Sequence, residues 1–209
     1  MEKTFKEAME FRHARKIFDE NKKISDIDMK DVLEFGRLSP SSFGMEAWKF
    51  LVITNEALKA KIRPACWDQV QVTSCSHLVI VLAGIDSVKV ASGKVEKRFA
   101  RSGMDRKSLD FYLGLYAGHL ENILNSDENI YPWTAKQAYI ASANMMTGAA
   151  VKGIDSCPIE GFDKTQIEEI LALDTTKYQV AMVLPFGYRV NEQPAKHRLD
   201  FDEVVEFIK

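Results

Sequence analysis

Five short stretches of this chain carry residue types that could do chemistry. The first, RHARK at 12–16, places two arginines, a lysine and a histidine within five residues. Read as a helical turn, Arg12 and Lys16 lie one turn apart with Arg15 beside them, so three cations and His13 face one surface. Such a cluster can bind a phosphate or the electron-rich edge of a ring, although a solvated basic face has the same composition. The second is SPSS at 39–42, where Ser41 and Ser42 beside Pro40 either hydrogen-bond a polar ligand or stop a helix. No G-x-S-x-G elbow surrounds them, which argues against a nucleophilic serine. In WDQVQ at 67–71, Asp68, Gln69 and Gln71 offer a carboxylate and amides to the edge of a heterocycle, or form a polar turn.

The fourth stretch is GIDSCPIEGFD at 153–163. Pro158 and Gly161 bracket a turn with accessible backbone N–H groups and small side chains, which suits contact with a flat ligand. An ordinary turn into a strand would use the same residues. In the fifth, AKHRLDFDEVV near the C-terminus, Lys196 and Arg198 alternate. An extended backbone points both to one side, towards a phosphate if one is bound, while a charged tail is the plain alternative.

Other chemistry is absent from the pattern. The histidines at 13, 77, 119 and 197 show no metal-ligand spacing, so no metal site is expected. Cys66, Cys75 and Cys157 are odd in number and lack C-x-x-C spacing, which points away from disulfides and towards a reducing compartment. Neither G-x-G-x-x-G nor G-x-x-x-x-G-K-[ST] occurs, so any nucleotide must be held by another device. A net charge of −2 does not suit nucleic acid. No run approaches 18 apolar residues and the N-terminus has no apolar core, so a cytoplasmic protein with no membrane contact is expected.

The elements that must position these stretches follow from periodicity. Residues 2–11 read as a helix, and Ser25 with Asp28 forms a capping box, Ile24 and Met29 a staple, for a helix running from 25 to SPSS. WKFLVIT and HLVIVLAG read as buried strands at 48–54 and 77–84. Two long helices, 108–124 and 133–151, flank a polar loop containing NSDEN; small residues crowd the second, allowing close packing within the chain or across a dimer. A turn at 153–162, a helix at 163–172, the strand YQVAMVLPFG and a charged tail complete the chain. KVEKRFARSGMDRK reads as a solvated loop, with an anion-steering role as the alternative. Without a regular βαβ rhythm or a linker, the expectation is one α+β domain over 1–209.

Taken in order, RHxxKxF, SPSS followed by W-x-F-x-V, D-Q-x-Q before a strand, PIEGFD and a late KHR resemble the flavin-dependent nitroreductase family, in particular its oxygen-insensitive NAD(P)H nitroreductase and dihydropteridine reductase branch. The likeness spans residues 5–205 and is weakest over 86–130. It implies a mostly antiparallel sheet flanked by helices, an intertwined homodimer, and FMN bound between subunits, with a C-terminal arm at about 190–209 reaching the partner. By position, Arg12, His13, Lys196 and Arg198 would hold the FMN phosphate and ribityl chain, and Lys16 the N1 and O2 edge. Pro40, Ser41 and Ser42 would approach from the other subunit. Asp68 and Gln71 would reach the pyrimidine edge, Glu160 and Gly161 would offer N–H groups to N5 and O4, and Pro158 and Ile159 would lie against the ring. A cation such as Lys16 stabilises the charge that builds at N1 and O2 on reduction.

The activity implied is ping-pong reduction of nitroaromatics, quinones or similar electron-poor acceptors by NADH or NADPH. A specialised member (dehalogenase, enone reductase, flavin degradation) or a non-catalytic flavin-binding or structural homodimer is the alternative. Ala14 replaces a usual Ser, Asp68 a common Asn and Gln71 a frequent Lys, while Glu46 and Ala47 replace Gln-Pro. The reduced positive charge near the pyrimidine edge is expected to make the flavin harder to reduce.

Overall fold

The computed structural model describes residues 2–209. Strands β1 (Trp48–Ile53), β2 (His77–Gly84), β3 (Asp155–Ser156) and β4 (Tyr178–Gly187) form one antiparallel sheet in the order β1-β2-β4-β3. Strand β2 is buried along its whole length, which is why its sequence is a continuous branched apolar run instead of an alternating one. Leu78, Ile80 and Leu82 belong to one core and Val79, Val81 and Ala83 to the other, the period-two division of a strand. Strand β4 keeps this division through a bulge: Val81 opposes Met182 but Leu82 opposes Val180, so Ala181 is the extra residue. Ala181 and Met182 accordingly both fall in the second core.

Helices α1 (Phe5–Phe11), α2 (Asp26–Arg37), α3 (Glu56–Ala65), α4 (Gln71–Ser74), α5 (Lys94–Ala100), α6 (Arg106–Asn122), α7 (Asp127–Val151), α8 (Lys164–Ile170) and α9 (Phe201–Val204) surround the sheet. The first core is closed by Ile62 and Ala65 of α3, Val72 of α4 and Ile167 of α8. The second is closed by Met29 and Val32 of α2 and by Ala138, Met145 and Ala149 of α7. A third cluster, including Val88, Val95, Phe99, Leu109 and Tyr116, sits beneath the excursion between β2 and α7 and packs on Met45 and Ala47. The α+β expectation holds. Among the described residues no helix is long and apolar enough to cross a membrane.

Local signals account for most boundaries. Ser25 Oγ accepts from the Asp28 N–H at 3.1 Å, and Ile24 and Met29 are both buried as the staple requires. Helix α1 begins at Phe5, not residue 2, because Thr4 caps it in a full capping box with Glu7. Helix α7 starts six residues before the expected Trp133: Ser126 is its cap, and the acidic residues read as loop occupy its first turn, where the helix dipole favours them. Pro132 lies inside it, at the cost of one ladder hydrogen bond, and the helix runs on through it. KVEKRFA is helix α5 and not a solvated loop, since Val95 and Phe99, four apart among the charges, are buried in the third cluster.

RHARK also differs from its helical reading. Helix α1 stops at Phe11, the backbone turns extended at Arg12, and Ala14 bridges Ser156 in parallel, with Arg15 N–H donating to the Ser156 carbonyl at 3.2 Å. Alternate residues then share a side. Arg15 therefore leaves the surface of Arg12 and Lys16 and pairs with Asp155.

Candidate functional site

The turn after β3 is pinned to β4 before it opens. Cys157 N–H donates to the Pro185 carbonyl at 3.1 Å, and Ile159 and Val183 exchange hydrogen bonds at 2.9 and 3.2 Å. Beyond Ile159 the pattern stops: the adjacent N–H groups of Glu160 and Gly161 donate to no acceptor among the described residues. Two neighbouring free donors on a fixed turn form a ready site for acceptor atoms of a ligand.

Gly161 permits a close approach. A Cβ there would lie 2.6 Å from the six-membered ring of Trp67, so any larger residue would displace the indole from this position. Trp67 and Asp68 both hold left-handed backbone with φ of 54°, a strained arrangement for two consecutive non-glycine residues. Gln69 Nε2 donates to the Gly161 carbonyl at 3.0 Å, and Gln71 Nε2 donates to Gln69 Oε1 at 2.7 Å. Gln71 is buried, and its amide also lies 3.9 Å from Cys157 Sγ, which Lys16 Nζ approaches to 4.0 Å from the extended segment after α1. Burial pushes the Cys157 thiol up, with Lys16 and Gln71 pulling the other way. Lys16, Gln71, Cys157 and the 158–161 turn are thus brought together. Gln69, offered with Asp68 and Gln71 as a group for the edge of a heterocycle, instead spends its amide on joining the two loops. Asp68 instead sits at the exposed rim, its carbonyl accepting from Arg63 Nε at 3.1 Å.

A group of cations closes one end. Lys196 Nζ donates to the Arg12 carbonyl at 2.6 Å and to that of Met9, bringing residues 184 apart to the end of α1. Burial and then Arg198 lower the Arg12 guanidinium's pKa; burial, then Arg12 and Arg198, lower the Lys196 ammonium's. His13 is lowered by burial and by Arg15, Lys196, Arg12 and Arg189. No carboxylate among the described residues forms a salt bridge with Arg12, Lys196 or Arg198. Like charges crowded with only Glu10 as a distant counter-charge, acting on Lys196, fit an anionic group such as a phosphate. Ala14 turns to the first core and supplies no hydroxyl.

Residues 40–42 stand apart. Ser42 N–H donates to Gln137 Oε1 at 2.8 Å, Glu46 N–H to Ser41 Oγ at 2.8 Å, and Asn144 Nδ2 to Ser39 Oγ at 2.8 Å. Helix α7 therefore fixes this loop, and no hydrogen bond or ion pair among the described residues joins Pro40, Ser41 or Ser42 to the group around Gly161. Among the described residues no cluster of His, Cys, Asp or Glu could hold a metal ion.

The profile of the nitroreductase family matches residues 9–188. A Haemophilus influenzae protein provisionally named NAD(P)H nitroreductase is 41% identical, covering 98% of each chain. The Bacillus subtilis protein YfkO, with the same provisional name, is 39% identical over 97% of this chain and 96% of its own. Among solved structures, a nitroreductase-type protein from Exiguobacterium sibiricum in complex with FMN superposes with a TM-score of 0.84 at 28% identity, covering 98% of this chain and 97% of that one. A Staphylococcus epidermidis structure described as an NAD(P)H:FMN oxidoreductase has a TM-score of 0.86 at 24% identity over 100% and 98%, a likeness of fold alone. The chain belongs to the nitroreductase family, a family of oxidoreductases.

Proposed function

We propose that this protein is an FMN-dependent NAD(P)H oxidoreductase that reduces nitroaromatics, quinones or similar electron-poor acceptors in a ping-pong cycle. The observation that carries the reading is the pair of unpartnered N–H groups at Glu160 and Gly161, on the turn that begins at Cys157, whose sulfur Lys16 and buried Gln71 approach. The FMN-bound Exiguobacterium relative supports the cofactor, and the names of the curated relatives support the donor. FMN, when bound, would supply the hydride acceptor and donor that no protein side chain provides.

The chain's own residues would bind and tune. The Glu160 and Gly161 N–H groups would donate to ring acceptors, and Pro158 and Ile159 would back the ring. Lys16 would oppose negative charge at the pyrimidine edge, with Gln71 and the rim carboxylate of Asp68 completing that edge. Arg12, His13, Lys196 and Arg198 would take the phosphate and ribityl chain.

The same reading places a second copy at the site. Ser42 is held by Gln137 of α7 and Ser41 by the Glu46 N–H, with no bond to the Gly161 turn among the described residues. Phe5, Met9, Leu38 and Ile140 are exposed on or beside α1, α2 and α7, and the outer edge of β1 is unpaired among the described residues. Leu199, Phe201, Phe207 and Ile208 leave the C-terminal arm with bare apolar surface, Ile208 at 93% exposure. A homodimer in which residues 190–209 wrap the partner would cover both. Light scattering that returns a monomer of 23.7 kDa refutes the dimer.

The activity is tested by an anaerobic visible spectrum of FMN-loaded protein. Bleaching on addition of NADH or NADPH, and recovery with a quinone or nitroaromatic, is the expected result. A flavin spectrum that never bleaches overturns the oxidoreductase reading, and protein that binds no flavin overturns the site.

A further inference from the structure

We propose that Asp155 is a positioning residue for the cofactor phosphate: its carboxylate holds together the two chain segments that supply the phosphate-binding cations. This rests on the FMN reading above. The carboxylate is wholly inside, with 1% of its side chain exposed, and receives four donors. Arg15 Nε reaches Oδ1 at 3.1 Å from a position 140 residues earlier. From 34 residues later, Arg189 binds as a fork, with Nη2 to Oδ1 at 2.6 Å and Nε to Oδ2 at 2.9 Å, and adds its backbone N–H to Oδ2 at 3.0 Å.

Each arginine carries a different half of the site. Arg15 lies between Ala14 and Lys16 on the extended segment whose other face presents Arg12 and Lys16. Arg189 opens the stretch that ends at Lys196 and Arg198, and its guanidinium lies 3.8 Å over the Phe11 ring while Nη2 donates to the Phe11 carbonyl at 3.3 Å. Arg15 Nη1 also reaches across, to the Glu192 carbonyl at 3.3 Å. Asp155 itself precedes the 157–161 turn by two residues. One carboxylate therefore ties together three segments that the backbone joins only in pairs, the first to the second through the Ala14–Ser156 bridge and the first to the third through the Asp19 N–H donating to the Tyr188 carbonyl.

Stability alone is a poor account of this arrangement. Arg15 Nη2 is buried with no partner, and a buried ion pair with an unsatisfied donor contributes little net stability against its desolvation cost. Placement of Arg12 against Lys196 is what the arrangement does secure.

The test compares FMN with riboflavin, which lacks only the phosphate. Dissociation constants of both are measured by fluorescence quenching for the wild-type protein and for Asp155→Asn, Arg15→Gln and Arg189→Gln, with urea unfolding of each flavin-free protein alongside. The expected result is that the preference for FMN over riboflavin falls by about tenfold, the scale of one lost charge-assisted hydrogen bond, while riboflavin affinity stays within about twofold of wild type. A general loosening would weaken both ligands together. An unchanged preference in variants that fold overturns the proposal, and the two arginine variants decide it if Asp155→Asn does not fold. Wild-type protein that binds neither flavin removes the cofactor reading itself, a distinct outcome.

Discussion

Gly148 tests whether the contact between α2 and α7 sets the serine loop. A Cβ at this position would lie 2.0 Å from Cδ2 of Phe35 and 2.6 Å from its Cγ and Cε2. Carbon pairs rest at about 3.5–4.0 Å, so the ring or the helix must retreat by roughly 1.5 Å. Overpacking of this kind costs about 1–3 kcal/mol, and alanine in a helix interior recovers about 1 kcal/mol relative to glycine. The expected net loss for Gly148→Ala is about 1 kcal/mol, and at most about 2. For a chain of this length each kcal/mol lowers Tm by about 2–4 °C. Gly36→Ala is the internal comparison: its Cβ would meet Met145 Cγ at 2.7 Å and Sδ at 2.9 Å, atoms of an adaptable side chain, so the loss is smaller. Thermal and urea unfolding of flavin-free protein at one fixed concentration measures both, since any association would otherwise shift the midpoint. Because α7 also holds Ser39 through Asn144 and Ser42 through Gln137, Gly148→Ala should in addition weaken FMN binding. Unchanged stability of Gly148→Ala, or a larger loss for Gly36→Ala, refutes the reasoning.

Lys16→Met should make the bound flavin harder to reduce. If the ammonium contributes about 2 kcal/mol to the reduced state, the two-electron potential falls on the order of 40 mV; a redox titration showing no fall would remove Lys16 from the ring edge. Burial raises the Cys66 and Cys75 thiols from 9.0 to about 12. The unfolded chain ionises these thiols above about pH 9 while the folded one does not, so stability should decline between pH 9 and 12. Urea midpoints that stay level from pH 8 to pH 11 would contradict this, as would rapid alkylation of either thiol in native protein at pH 8.

The elements with strong local signals were legible from the residues: the unbroken apolar run of β2, the Ser25 cap with its buried staple, the Gly161 turn. The helix hidden in KVEKRFA was not, because its two buried residues are outnumbered by charges and only the third cluster shows that they pack. Helix α7 began early because Ser126 outweighed Pro132 as a signal. RHARK misled in geometry: its residues alternate along an extended segment, so Arg12 and Lys16 share a side while Arg15 turns inward to Asp155.

By itself, the sequence determined which residue types the site contains, since the order of five short stretches is a local property and matches a family whose profile covers residues 9–188. Only the tertiary structure decided how they meet. Arg15 is opposed to Asp155 across 140 residues and Lys196 to Arg12 across 184. Gln69, unremarkable in a polar turn, gains a role only when the Gly161 carbonyl arrives beside it. Nothing local encodes such pairings: they exist because a two-faced sheet, with helices packed on both sides, brings the end of α1, the turn after β3 and the stretch after β4 to one place.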